Sequence, residues 1–65
     1  MRIIVNNEPR DVRGRTLAEL LDELGCGGAV VATAVNGSFT PVGQRTSRTL
    51  AEGDRIEVLA PMQGG

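Results

Sequence analysis

The stretch TLAELLDELG, residues 16–25, carries the clearest local signal in this chain and decides which fold the rest can adopt. Thr16, followed three residues later by Glu19, matches the capping box, in which a hydroxyl and a carboxylate bind free N–H groups at a helix N-terminus. Four leucines at spacings of three and four residues share one helix face: Leu17, Leu20, Leu21 and Leu24. Gly25 stands where a left-handed residue ends a helix. Because so short a helix does not persist alone in water, the leucine face predicts a sheet beneath it.

The segment before the helix is predicted to be a β-hairpin. Residues 1–5 are short, apolar and rich in β-branched side chains, which is typical of a buried strand. Asn6 and Asn7 tolerate positive φ and therefore predict a tight turn. Residues 8–12 would form the returning strand, at an edge of the sheet because Pro9 has no N–H to donate.

The segment after the helix predicts further strands joined by turns. Asn36-Gly37 is a strong hairpin signal, and Glu52-Gly53-Asp54 predicts another turn. Leu50 lies in a polar stretch and is predicted to enter the core. Three segments indicate strands: residues 29–35, 39–42 and 55–59.

The order of these elements predicts an α+β fold. A hairpin, a helix and a returning strand, joined by short right-handed connections, favour the ubiquitin-like β-grasp arrangement, a mixed sheet of four to five strands packed on one α-helix. The first strand would be central, with the last strand parallel beside it. Ile3, Val5, Ile56 and Val58 would then face the helix, while Ile4 and Leu59 would face outward. Residues 1–59 would form the domain and residues 60–65 a flexible tail.

Composition excludes several classes of function. One Cys cannot form an internal disulfide, and without His the usual zinc, haem and His-based catalytic sites have no ligands or bases. A net charge of −1 and a single aromatic residue argue against nucleic-acid binding. No apolar run reaches the length of a membrane span. We therefore expect a cytoplasmic domain that binds no metal or cofactor and is not an enzyme by itself.

Gly64-Gly65 is the sharpest candidate for chemistry. A segment without side chains enters a narrow channel in a partner protein more easily than any other, although two glycines are also typical of a frayed chain end. A carboxylate on such a tether can attack the α-phosphate of ATP in another protein's active site. The product, an acyl-adenylate, is activated toward a sulfur or amine nucleophile.

The chain resembles the ThiS/MoaD group of sulfur carriers, and ThiS of thiamine biosynthesis most closely. The resemblance covers the whole length and depends on an ordered set of motifs: MRIIVN at 1–6, TLAELL at 16–21, AVNG at 34–37, LAEGDRIEV at 50–58 and PMQGG at 61–65. The length and the compact middle favour ThiS over MoaD, the small subunit of molybdopterin synthase, which tends to be longer.

The resemblance implies a mechanism and partners. A ThiF-type adenylating enzyme, using ATP and Mg²⁺, would activate the carboxylate of Gly65, and Gly64 would give access to it. Sulfur from a cysteine desulfurase would convert the carboxylate into a thiocarboxylate, which would donate sulfur to a ThiG-type thiazole synthase. The carrier would be a monomer when free.

Two alternative functions and several further residues complete the predictions. The alternatives are a MoaD-type subunit and a ubiquitin-like modifier or interaction domain. An apolar patch beside the tail is predicted to help docking and would comprise Ile4, Leu59, Pro61 and Met62. Cys26 follows the helix C-terminus, where the helix dipole disfavours a thiolate, and no catalytic role is expected for it.

Overall fold

The computed structural model describes residues 1–60, in which five strands form one mixed sheet against an α-helix. The strands are β1 (Arg2–Val5), β2 (Glu8–Asp11), β3 (Ala32–Val35), β4 (Ser38–Phe39) and β5 (Arg55–Leu59), the helix is α1 (Leu17–Glu23), and Val42–Gln44 form a 3₁₀ turn. The sheet order is β2-β1-β5-β3-β4. β1 and β5 are parallel, and the other pairs are antiparallel.

The topology agrees with the predicted α+β architecture except in one position. β1 lies beside β5 as expected, but β5 and not β1 occupies the middle of the sheet. The physical reason is that the β3–β4 hairpin adds to the far side of β5, whereas β1 carries only β2 on its outer side. β5 therefore has two strands on each side, whereas β1 has one strand on its outer side.

Helix α1 begins and ends as its sequence predicts. The Thr16 hydroxyl accepts a hydrogen bond from the backbone N–H of Glu19 at 3.2 Å, and the Glu19 carboxylate accepts from the N–H of Thr16 at 3.4 Å, which completes the capping box. Gly25 adopts φ of +82° directly after the C-cap Leu24. The backbone N–H of Leu17 donates to the carbonyl of Arg48 at 2.9 Å, so the loop before β5 satisfies part of the helix N-terminus.

The core lies between α1 and one face of the sheet. Ile3, Val5 and Ile56 face the helix as predicted, and Val58 is half-buried against the same cluster. Leu50 is buried, which confirms that it enters the core. The other buried apolar side chains are Val12, Leu17, Leu20, Leu21 and Val35.

Both predicted hairpin turns are confirmed. Asn6 and Asn7 take φ of 49° and 70°, and Asn36 and Gly37 take 51° and 84°. Positive φ at both central residues is the conformation whose twist matches that of the flanking strands. Asparagine adopts it at low cost because its short side chain bonds locally.

Two predicted strands are shorter than expected. Residues 29–31 lie outside β3, because Ala32 already pairs with Leu59 at the end of β5 and residues 29–31 have no strand to pair with. The predicted strand 39–42 is replaced by the two-residue β4 and the 3₁₀ turn. The Arg45 guanidinium holds this region, donating to the Val31 carbonyl at 2.6 Å and the Thr33 hydroxyl at 3.1 Å.

The Glu23 carboxylate ties the helix to the loop after β2. It accepts hydrogen bonds from the backbone N–H of Gly14 at 2.9 Å and of Arg13 at 3.0 Å. These bonds lower the pKa of Glu23 below its ordinary value, and the bond from Gly14 contributes most.

Elsewhere, at the sheet edge, the Arg2 guanidinium holds the pKa of the Asp11 carboxyl below its usual range. No helix among residues 1–60 is long and apolar enough to cross a membrane.

Candidate functional site

The candidate site is the end of the sheet at which β5 finishes and the last residues of the chain follow. Leu59 is the last residue of β5, and Ala60 follows it. The residues predicted to act beyond this point, Pro61, Met62, Gly64 and Gly65, lie outside the described residues, so their roles stay predictions. The boundary between a domain of residues 1–59 and a tail of residues 60–65 is likewise untested.

β5 is held on both sides up to its end. On one side β3 pairs Thr33 with Val58 and Ala32 with Leu59. On the other side the pairing with β1 stops at Val5 and Ile56, because the chain enters its turn at Asn6. The Asn6 side chain fills the gap: its Nδ2 donates to the Val58 carbonyl at 3.0 Å, and its Oδ1 accepts from the Val58 N–H at 2.9 Å.

Apolar side chains surround the end of β5. Leu59 is 60% exposed and Val30 is 81% exposed, which is unusual for large aliphatic side chains in so small a domain. They line a shallow depression of about 350 Å³ together with Val31, Ala32 and Ala60. An exposed apolar surface beside the chain exit offers a partner protein a place to bind.

Ile4 and Leu59 do not meet in one patch. Both lie on the sheet face away from the helix, but Ile4 is half-buried and aligned with Arg55, four residues before Leu59. At the rise of a β-strand this separates them by about 13 Å, and Glu57 lies between them on the same face. Leu59 instead shares its surface with Val30, and the docking role of both predicted residues stays a prediction.

The described residues provide little for metal chemistry. Among residues 1–60 no three His, Cys, Asp or Glu side chains cluster so as to hold a metal ion. The Cys26 thiol is half-buried just beyond α1, with Sγ 3.9 Å from the Leu24 carbonyl oxygen. The chemistry that the sequence predicts belongs instead to Gly65.

Comparison with known proteins supplies the family. The family model described as the ThiS family matches residues 3–65, nearly the whole chain.

The chain belongs to the ThiS family.

Three relatives of this ThiS-family chain are each named as ThiS or as a thiamine biosynthesis protein. The sulfur carrier protein ThiS of Thermus thermophilus is 41% identical over 61 residues, which cover 94% of this chain and 95% of that protein. The crystal structure of the thiamine biosynthesis protein ThiS from Geobacter metallireducens superposes with a TM-score of 0.85 at 32% identity and full coverage of both chains. A solution structure of a thiamine biosynthesis protein from the same organism gives 0.79 at 30% identity, covering 100% of this chain and 88% of that one.

These matches confirm the predicted resemblance and the β-grasp fold. They also favour ThiS over MoaD, since all three relatives are ThiS or thiamine biosynthesis proteins.

Two features of the ThiS-family site were not predicted from the sequence. The sequence marks Asn6 only as a turn residue, although its side chain also bonds Val58, 52 positions away. The contact between Arg45 and the buried Thr33 was not predicted either. The sequence offered one signal for the second role of Asn6. An asparagine amide has both a donor and an acceptor, which a glycine in the same turn would lack.

Proposed function

We propose that this chain is a sulfur carrier of thiamine biosynthesis and that it presents the carboxylate of Gly65 to partner enzymes. The observation that carries the proposal is the ThiS-family match, which extends through residue 65, at the two glycines. The relative at 41% identity is named a sulfur carrier protein, and its match covers 94% of this chain. The depressions on the described surface are shallow, which is what we expect of a small carrier on which other proteins act.

The proposed reaction begins with activation of Gly65. In the active site of a ThiF-type enzyme, a carboxylate oxygen of Gly65 attacks the α-phosphate of Mg²⁺-bound ATP, and pyrophosphate leaves. The resulting acyl-adenylate is a mixed anhydride whose carbonyl carbon accepts a sulfur nucleophile. The terminal sulfur of a persulfide supplied by a cysteine desulfurase attacks this carbon and displaces AMP, which gives an acyl persulfide. A thiol then attacks the S–S bond, a disulfide forms, and a thiocarboxylate remains on Gly65. Because this activation consumes ATP, we place the carrier in the cytoplasm.

The second stage delivers sulfur to a ThiG-type thiazole synthase. A thiocarboxylate is a better nucleophile than a carboxylate, so it forms the carbon–sulfur bond that the acceptor enzyme requires. Gly64 and Gly65 have no side chains, which lets the terminus enter narrow sites in two different partners. The exposed Leu59 and Val30 at the end of β5 would contact the partner as the terminus enters.

The proposal is tested by intact-protein mass spectrometry. The chain is incubated with a ThiF-type enzyme, ATP, Mg²⁺ and a sulfide source, and we expect one oxygen to be replaced by sulfur on Gly65. A chain with one bulky residue appended after Gly65 is the control, and it should fold but not be adenylated. An unchanged mass with the cognate adenylating enzyme, or a mature chain that continues past Gly65 untrimmed, would refute the proposal.

A pull-down experiment separates the thiamine pathway from the molybdopterin pathway. The proposed function expects the chain to bind a thiazole synthase and not the large subunit of a molybdopterin synthase. The opposite preference would assign the chain to the MoaD role.

A further inference from the structure

The Asn6 side chain continues the parallel β1–β5 ladder after the backbone of β1 has left the sheet. The backbone N–H of Asn6 makes the last main-chain bond of this pair, to the Ile56 carbonyl at 2.9 Å. The next bonds of a parallel ladder would involve Val58, but Asn6 has φ of 49° and the chain turns toward β2. Its Oδ1 and Nδ2 replace the missing backbone groups and bond the N–H and the carbonyl of Val58.

This replacement matters because of the direction in which the backbone N–H and C=O of Val58 point. The N–H and the C=O of one strand residue lie on the same side of the strand. Since both groups of Val58 bond Asn6, they point away from β3, although Thr33 is the register partner of Val58 there. Losing the Asn6 amide would leave both groups to solvent and release the last part of β5 on its β1 side.

We propose that Asn6 is a positioning residue for the carrier reaction: by holding Val58 it sets the direction in which the chain leaves the sheet toward Gly65. This inference rests on the proposed function of Gly65. The seven residues that follow Val58, residues 59–65, span at most about 24 Å when fully extended. A change of direction at Val58 therefore displaces the carboxylate by a distance comparable with the size of an active site.

The expected size of the effect follows from the length of the tether. If β5 frays from Val58 onward, the segment outside the sheet grows from residues 60–65 to residues 58–65. The effective concentration of the carboxylate at the partner site then falls by roughly a third, since it scales with about the −3/2 power of tether length. Misorientation adds to this loss, because small displacements of a reacting group are costly. We expect adenylation to slow by about 2- to 10-fold.

Asn36 offers a matched control within the same chain. It occupies the equivalent first position of the other hairpin turn, with φ of 51°. Its amide bonds the first residue of β5, where Oδ1 accepts from the Arg55 N–H at 2.9 Å, and the residue before the strand, where Nδ2 donates to the Asp54 carboxylate at 3.1 Å. These contacts lie at the start of β5, away from the chain exit. Glycine at either position keeps the positive φ and removes only the amide.

The test compares Asn6→Gly with Asn36→Gly in the full chain. The rate of acyl-adenylate formation on Gly65 is measured in single turnover with a ThiF-type enzyme, together with the carrier concentration that gives half the maximal rate. We expect Asn6→Gly to lower the maximal rate by about 2- to 10-fold, with the half-saturating concentration little changed because the domain still docks. Asn36→Gly should keep the wild-type rate.

Hydrogen exchange shows independently whether each variant is folded and which contact was lost. Asn6→Gly should speed exchange of the Val58 amide, and Asn36→Gly should speed exchange of the Arg55 amide. A milder variant, Asn6→Asp, keeps the acceptor for the Val58 N–H and loses the donor, so it should fall between wild type and Asn6→Gly.

The outcomes separate the two proposals. Equal adenylation rates for Asn6→Gly and Asn36→Gly, with wild type active and both variants folded, would overturn the positioning role of Asn6 and leave the carrier function intact. A wild-type chain that no cognate adenylating enzyme modifies would instead overturn the carrier function.

Discussion

Leu20→Ala should destabilise this domain far more than Leu59→Ala, although both changes remove the same atoms. Leu20 is fully buried between α1 and the sheet, whereas Leu59 is 60% exposed on the opposite face. Truncating a buried leucine costs about 2–5 kcal/mol, since the lost transfer free energy is joined by a cavity that the neighbours only partly fill. For Leu59, less than half of the side chain is shielded, and the expected cost is below about 1 kcal/mol.

Because the domain is small, the difference in cost between the two substitutions is large compared with its total free energy of unfolding. At roughly 0.05–0.15 kcal/mol per residue, a chain of 65 residues has a free energy of unfolding of about 3–10 kcal/mol. Leu20→Ala removes a large part of that total, so its urea midpoint should fall far below that of wild type. Leu59→Ala should remain folded, which makes it the suitable variant for testing the docking surface.

Urea unfolding followed by far-ultraviolet circular dichroism measures both free energies, because the chain has no Trp or Tyr for fluorescence. The slope of the free energy against urea concentration should be similar in wild type and Leu59→Ala. A loss below about 1 kcal/mol for Leu20→Ala, or equal losses for the two variants, would contradict the placement of the core between α1 and the sheet.

Three further predictions concern a carboxylate, a close contact and the thiol. The lowered pKa of Glu23 means that its contribution to stability is present above the ordinary value of 4.5 and lost as the pH falls through the folded value, so urea unfolding of Glu23→Gln and wild type should differ near neutral pH and converge in acid. A Cβ at Gly14 would lie 2.9 Å from the backbone N of Leu20, so Gly14→Ala should lower the thermal midpoint, whereas Gly28→Ala, with open space around it, should not. Cys26→Ser should accept and donate sulfur as wild type does in the mass-spectrometric assay; a folded but inactive variant would show that the thiol is required.

The features that the sequence predicted best are those whose causes lie within a few residues. Thr16 and Glu19 form the capping box as predicted, because the helix N-terminus supplies both bonding partners locally. The Asn6 and Asn36 turns are equally local, since positive φ is a property of the residue and its immediate neighbours. The role of Gly65, which lies outside the described residues, stays a prediction from the family motifs.

Tertiary structure decided the features that depend on distant partners. The start of β3 at Ala32 is set by where β5 ends, at Leu59, and no pattern within residues 29–31 shows this. The separation of Ile4 from Leu59 follows from the register of β1 against β5, because one apolar patch requires proximity and not only a shared face. The second role of Asn6 depends on Val58, 52 positions along the chain. Local chemistry determined which residues turn or cap, and only the folded sheet determined which backbone groups their side chains bind.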